Sequence, residues 1–516
     1  MGISKFYKML SVLNQLRWKI AAKSILTGFI AGLLVVLYRL GIEYGTEAAL
    51  TIYTFLKKNP IAIIPWFLFA IMIGWFLSWL VKMEPMATGS GIPQVEGILL
   101  YGMRMKWYTI LLVRFTGGIL ASFFGVSLGR EGPSIQIGAS GSQAIAPKIS
   151  GNKLEENYLI TGGAAAGLSA AFNAPLSGII FALEEVHRSF SPLILIAATT
   201  ASLTADVVSK YFFGLKPVLD FIAIPQLPEK FYLWLLPIGM FSGLIGSVAN
   251  TSLLKMQRFY EKVPVAIRPS IALILAIPCG LFLPQILGGG QNLIKLSENG
   301  TASLEFLILL LVCKLLFTCI CFGSGIPGGI FLPILSIGAL SGGLLGLIAI
   351  QFGVPAEYIA TFAVCAMAGA LSGSVKAPIT SILLTAEMTG SLVHLLPVAA
   401  CSFIALFLSD FMKITPIYEA LLERIVSKNE ESTKSKKSGI LLEFPVEFGS
   451  TICGKKINEI NWPAQSLVAG IHRGNSEIVP NGTTTIMAGD YLVVLSSEQA
   501  LDDINSHMKA LCYSNE

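Results

Sequence analysis

Long apolar stretches alternate with short polar connections along most of the chain, and the pattern changes after Tyr418. Apolar runs near 25–41, 60–82, 108–125, 192–207, 231–253, 267–286, 303–322 and 394–412 each predict a membrane-spanning helix. Between them lie stretches broken by Gly and Pro, at 88–100, 132–147, 160–172, 175–186, 329–350, 357–372 and 377–389. These predict interrupted helices, because irregular backbone at membrane depth is tolerated only where it lines a cavity enclosed by protein. Residues 1–20, carrying Lys5, Lys8, Arg17 and Lys19, predict a basic amphipathic helix on the cytoplasmic face. From Lys428 to Lys437 the chain is charged and lacks apolar residues, which predicts a solvated linker. Beyond it, β-rich runs at Gly439–Phe448, Ser466–His472, Ser476–Val479 and Tyr491–Ser496 alternate with turn signals at Asn481-Gly482 and Gly489-Asp490. Leu501–Leu511 predicts a closing helix, which makes this end a small soluble α/β domain.

The broken stretches repeat. Gly129, Pro133, Ile137, Gly138 and Ala139 recur 200 residues later as Gly329, Pro333, Ile337, Gly338 and Ala339. Ala166-Gly167, Ala174-Pro175 and Glu184 recur as Ala368-Gly369, Ala377-Pro378 and Glu387. Order and spacing recur together, so the apolar region is two homologous halves, about 20–210 and 211–425. Interrupted hydrophobic segments at matching places in two halves point to a binding site near the membrane midplane.

Composition narrows the class. Hydrophobic residues make up 54% and charged residues 13% of 516 positions, the profile of an all-α polytopic membrane protein. A net charge of +5 with no basic, aromatic-interleaved patch gives nucleic acid no footprint. Eight scattered cysteines without CxxC spacing read as buried small hydrophobes.

The chemistry gathers in Gly-rich motifs. Gly89-Ser90-Gly91-Ile92-Pro93, Gly129-Arg130-Glu131-Gly132-Pro133, Gly323-Ser324-Gly325-Ile326-Pro327 and Gly329-Ile330-Phe331-Leu332-Pro333 each predict the opening of a broken helix with free N–H groups. Such ends favour an anion, and several converging from both halves make an anion cage without a full positive charge. Glu131 is then the chain's own anion at that place; alternatively, the stretch is a polar loop between two spans. A carboxylate held among anion-binding helix ends competes with the anion and carries a proton once displaced.

Four motifs in this order resemble the CLC family of chloride channels and proton-coupled chloride antiporters, over about residues 20–425. The resemblance implies a homodimer of antiparallel halves built from tilted, broken helices, with one pore per subunit in the cell membrane and both termini cytoplasmic. It implies that Ser90 and Tyr418, the latter in Thr415-Pro416-Ile417-Tyr418, hold a central chloride by their hydroxyls, with backbone N–H groups of Ile330 and Phe331. Arg130 and Gly132 would frame an outer site gated by Glu131. Glu185 stands where the antiporters carry an inner proton-relay glutamate, whereas a salt bridge from Glu184 or Glu185 to Arg188 is the plainer alternative. Chloride and protons are the implied cargo, and no cofactor is. A passive channel is the alternative within the family. Gln94 stands where close bacterial relatives often carry Glu, and Ser90 argues against the fluoride-selective branch.

The domain at 439–516, after a linker at 426–438, resembles the RCK-C or TrkA-C domain of potassium-transport regulators, around Val468–Arg473 and Gly489–Val494. That resemblance implies dimerisation and a cyclic dinucleotide, cyclic di-AMP, as regulatory ligand. His472 and Arg473 are its candidate contacts, or else solvated strand-end residues. A cation transporter under such regulation lacks support, since no TVGYG-like filter occurs. An intramembrane enzyme lacks it too, for no HExxH, GxSxG or paired-Asp pattern is present.

Overall fold

The structure, a computed structural model, describes residues 3–219, 221, 225–300, 302–433, 440–464, 466–474, 476–496 and 501–513. Seventeen α-helices precede the C-terminal domain among the described residues. In chain order they are α1 (Ile3–Lys58), α2 (Ile63–Met83), α3 (Ile92–Tyr101), α4 (Trp107–Ser122), α5 (Glu131–Ile149), α6 (Lys153–Phe172), α7 (Pro175–Phe181) and α8 (Pro192–Phe213). The second series is α9 (Leu235–Glu261), α10 (Arg268–Phe282), α11 (Gln291–Asn299), α12 (Leu304–Gly323), α13 (Phe331–Gln351), α14 (Ile359–Val375), α15 (Pro378–Thr389) and α16 (Leu395–Phe411), followed by α17 (Ile417–Thr433). Packing repeats with the sequence: α5 lies on α6 and α6 on α8, as α13 lies on α14 and α14 on α16. The fold is thus the one the repeat implied, with Gly129 and Gly329 joined at its centre by two reciprocal backbone hydrogen bonds of 2.7 Å in antiparallel sense.

Three expectations about elements are corrected. The basic N-terminal segment is not a separate surface helix, since α1 continues unbroken from Ile3 to Lys58. Of this helix, Leu16–Lys58 is apolar enough to cross a membrane; its 43 residues extend about 65 Å, roughly twice a hydrocarbon core, so one end projects. The Gly-rich stretches at 132–147, 160–172, 329–350 and 357–372 are not broken: they form the continuous helices α5, α6, α13 and α14. Their glycines serve close packing instead. A Cβ on Gly163 would overlap the Gly138 carbonyl of α5, and one on Gly167 would overlap the Ser134 carbonyl. Helix backbones in contact at small residues are how membrane helices associate without a hydrophobic driving force. Finally, α17 runs on to Thr433, so the charged linker is helical over its first part; the remainder, 434–439, lies outside the described residues.

The C-terminal domain has the expected elements, β1 (Ile440–Pro445), β2 (Ser466–Arg473), β3 (Ser476–Ile478), β4 (Asp490–Ser496) and α18 (Leu501–Cys512). The sheet is antiparallel throughout, in the order β1-β4-β2-β3. Its core joins Phe444, Ile471, Leu492 and Val494 to Ile504 and Met508 of α18.

Candidate functional site

Four helix N-termini meet at the centre of the membrane region: α3 touches α5 and α17, and α5 touches α13. The chain arranges this by local chemistry. Gly91 caps α3 with φ of 99°, in the left-handed region that favours glycine, and Pro93 fits the first turn that follows. Gly132 has no room for a side chain, because a Cβ there would overlap the hydroxyl and carbonyl of Ser90. A Cβ on Gly129 would likewise overlap the Glu131 carboxylate. Gly129 and Gly132 are therefore close-approach positions, whereas Gly323–Pro327, expected to open a helix, closes α12, with Gly323 its last residue and Ser324 its C-cap.

Glu131 is the first residue of α5 and fully buried, so the reading of this stretch as an exposed polar loop is set aside. Its carboxylate faces the backbone N–H groups of Arg130, Glu131 and Leu332 and makes no side-chain pairing of hydrogen-bond geometry among the described residues. Arg130, beside it, is paired to Glu43 of α1 at 2.5 Å. Across the site, Ile330 and Phe331 open α13 and are buried. The Phe331 ring stacks on that of Tyr418, 5.9 Å between centroids and 14° apart. The Tyr418 phenol lies beside the Ser90 hydroxyl, and both oxygens are buried without a full hydrogen bond among the described residues. Two orphaned hydroxyls aimed at one place, each costly to leave unpaired, are what a donor pair for an anion looks like.

Glu185 lies near Tyr418, next to α7, in a π-helical turn over Ala182–Val186. It is 6% exposed and faces a cluster that sequence reasoning did not assemble: Glu96 of α3, Arg188 and Glu419. Arg188 lies 3.8 Å from Glu96 and 3.9 Å from Glu419, and it donates to the backbone carbonyl of Glu185 at 3.4 Å. The salt bridge entertained for Glu184 is not made, because that carboxylate is bound elsewhere, to Ile379 and Thr380. Arg114 was also overlooked. It is fully buried, and it holds the Gly89–Pro93 loop by donating to the Gly89 carbonyl at 2.5 Å and to Gln136 at 2.6 Å. A lone ionisable residue inside an apolar run was the available signal for both Glu96 and Arg114. Gln94 donates to the Thr88 carbonyl at 2.8 Å, a role in the same loop.

The profile of the voltage-gated chloride channel family matches residues 69–410. The chain belongs to this family. Among curated relatives, the H(+)/Cl(-) exchange transporter ClcA of Citrobacter koseri is 36% identical over 384 residues, covering 71% of this chain and 80% of the relative. ClcA of Salmonella arizonae is 35% identical over 378 residues, covering 71% and 79%. Among solved structures, a slow cyanobacterial Cl-/H+ antiporter superposes with a TM-score of 0.76 at 27% identity, covering 80% of this chain and 99% of that one. A CLC-type fluoride/proton antiporter shares the fold, with a TM-score of 0.62 at 24% identity over 77% and 96% of the two chains. The TrkA-C domain profile matches residues 441–509, so this member of the family carries a TrkA-C domain behind its membrane region.

That domain rests on the membrane region at the end that carries Arg188 and Glu419. Ser189 donates to Glu447 at 3.3 Å, and Lys509 of α18 lies near Arg188 and Glu419. Burial, then the Arg188 guanidinium, holds the Lys509 ammonium below the usual lysine range, while Glu419 opposes them. A cleft of about 410 Å³ separates the α5–α6 turn from the sheet, lined by Lys153, Glu443, His472, Glu477 and Tyr491 among others. His472 faces this cleft and lies 3.6 Å from Glu477. Arg473 does not line it: its guanidinium binds both oxygens of Asp490, at 2.8 and 2.7 Å, and the Thr485 carbonyl.

Proposed function

We propose that the protein is a proton-coupled chloride antiporter of the plasma membrane, with both termini cytoplasmic, working as a homodimer under control of its C-terminal domain. One observation carries the reading: a buried carboxylate, Glu131, occupies a nest of helix N-termini contributed by both halves. Chloride binds such a nest for the same electrostatic reason. Carboxylate and chloride exclude one another, so chloride entering from within displaces Glu131, which leaves protonated. Ser90, Tyr418 and the N–H groups of Ile330 and Phe331 form the central chloride site, and Arg130 and Gly132 frame the outer one. Glu185 supplies protons from the cytoplasmic side, so the two routes part below Glu131. The exchangers named among the relatives support this division of labour.

The C-terminal domain supplies regulation, with cyclic di-AMP as ligand, supported by the TrkA-C match and by the domain's seat beside the Glu185 cluster. His472 is its candidate contact; Arg473, held to Asp490 through Nε and Nη2, is the second candidate with only its Nη1 end uncommitted in these bonds. The deciding experiment uses reconstituted protein under opposed chloride and proton gradients. A chloride gradient should drive protons uphill in the opposite direction. A reversal potential that follows chloride alone at every pH would make the protein a passive channel.

A further inference from the structure

The two halves are tied to each other by a reciprocal pair of carboxylates. Glu184, at the end of the α7 segment, accepts from the backbone N–H of Ile379 at 3.2 Å, and from the N–H and hydroxyl of Thr380 at 2.8 and 2.7 Å. Glu387, its repeat-related counterpart in α15, accepts from the N–H of Leu176 at 3.0 Å, and from the N–H and hydroxyl of Ser177 at 2.7 and 2.6 Å. Each carboxylate thus caps the first turn of the other half's helix, a charge-assisted arrangement at a positive helix end.

The symmetry stops at the next residue. In the second half, Glu387 is followed by Met388 in a regular α-helix. In the first half, Glu184 is followed by Glu185, and the backbone is wound as a π-helix over Ala182–Val186, closed by the His187 N–H on the Ala182 carbonyl at 2.9 Å. Both caps stand nine residues after the prolines that open their helices, Pro175 and Pro378, so the π turn is not an inserted residue. It is a local rewinding, of the kind common at functional sites. Its neighbour is anchored to the opposite half by three hydrogen bonds, while Glu185 is turned inward toward Glu96, Arg188 and Tyr418.

We infer that Glu184 is a positioning residue for proton transfer: its bond to the Thr380 end of α15 fixes the π turn that aims Glu185 into the inner cluster. The inference rests on the proton-coupled reading above. The same latch in the second half does purely architectural work, because no ionisable residue follows it.

The latch pair provides its own control. Reconstituted Glu184→Gln and Glu387→Gln each retain one acceptor oxygen but turn an amide N–H₂ toward N–H donors, weakening the two caps alike. Chloride and proton fluxes are measured together, with thermal unfolding as a check on folding. Glu184→Gln should lower protons moved per chloride by about tenfold, as misplacement of a reacting group does, while Glu387→Gln keeps the unsubstituted ratio. Thr380→Val, which touches the latch from the far half and leaves both glutamates in place, should lower the ratio in the same direction, and Ser177→Ala should not. Equal loss in Glu184→Gln and Glu387→Gln, or a normal ratio in Thr380→Val, would overturn the assignment. Unsubstituted protein that moves chloride without protons would overturn the exchange reading and this inference with it, an outcome distinct from coupled parent protein and indifferent variants.

Discussion

At the scale of single residues, the proposed central site is two hydroxyls, two helix ends and a carboxylate, none with a full positive charge. Ser90 and Tyr418 are buried with unpartnered oxygens, and a charge-assisted hydrogen bond contributes about 1.5–3 kcal/mol. Ser90→Ala with Tyr418→Phe, which keeps the ring stacked on Phe331, should therefore weaken chloride binding by about tenfold or more, read by calorimetry. Unchanged affinity would make the two residues packing. Glu131→Gln imitates the protonated carboxylate, so chloride flux should persist while proton coupling vanishes. A coupled Glu131→Gln variant would place proton transfer elsewhere. Ser90 and Glu131 were legible in the sequence because Gly-rich motifs surround them, and Tyr418 only through the family resemblance of Thr415-Pro416-Ile417-Tyr418. Arg114 and Glu96 offered only the signal of a lone ionisable residue in an apolar run, and their partners, which would give that signal a meaning, come from distant parts of the chain. Gln136 lies 22 positions from Arg114, and Arg188 is far along the chain from Glu96.

At the scale of elements, the 200-residue offset announced the two halves, but the glycines inside them were misread as breaks. Composition does not separate a glycine that ends a helix from one that lets a neighbour approach. Gly91, with φ of 99°, is the first kind, and Gly167, pressed on the Ser134 carbonyl, is the second. Gly167→Ala places a methyl against backbone that cannot yield, so a loss of about 1–3 kcal/mol is expected. Gly343→Ala is the matched control: its Cβ would meet Ser297 at an ordinary 3.4 Å. Helix propensity then favours alanine by about 1 kcal/mol, so this variant should melt no lower than the parent in detergent. Similar melting of the two variants would mean that the α5–α6 contact adjusts freely. Sequence also suggested a salt bridge from the α7 segment to Arg188, where the structure has Glu184 capping α15, a partner 196 residues away that local spacing does not disclose.

At the scale of the whole molecule, the C-terminal domain was legible as a unit but its seat was not, because the contacts join residues such as Ser189 and Glu447 with no pattern linking them. The seat brings a second cationic group, Lys509, up to the Arg188–Glu419 pair. Lys509 stays largely exposed there, yet desolvation and Arg188 both disfavour its charge, so docking carries a small electrostatic cost that falls when the ammonium is lost. The seated domain thus binds fewer protons at this residue than the free one, and docking must strengthen as pH rises through the lowered value, levelling off above the ordinary lysine range of about 10.4. Lys509→Gln removes the cost at every pH and should remove that alkaline gain as well. Hydrogen exchange of α18 in the full-length protein reads both effects: slower exchange in Lys509→Gln than in the parent at neutral pH, and convergence of the two at alkaline pH. Equal protection at neutral pH would mean that Lys509 lies clear of the docking interface in solution. If the domain regulates transport through this seat, the same substitution also shifts the response to cyclic di-AMP, and by linkage any ligand effect on flux must return as an effect of chloride and pH on ligand affinity, of about 5–150-fold for a typical coupling. Flux that responds to the ligand identically in parent and Lys509→Gln, while docking differs, would separate regulation from the seat and assign it to another surface of the domain.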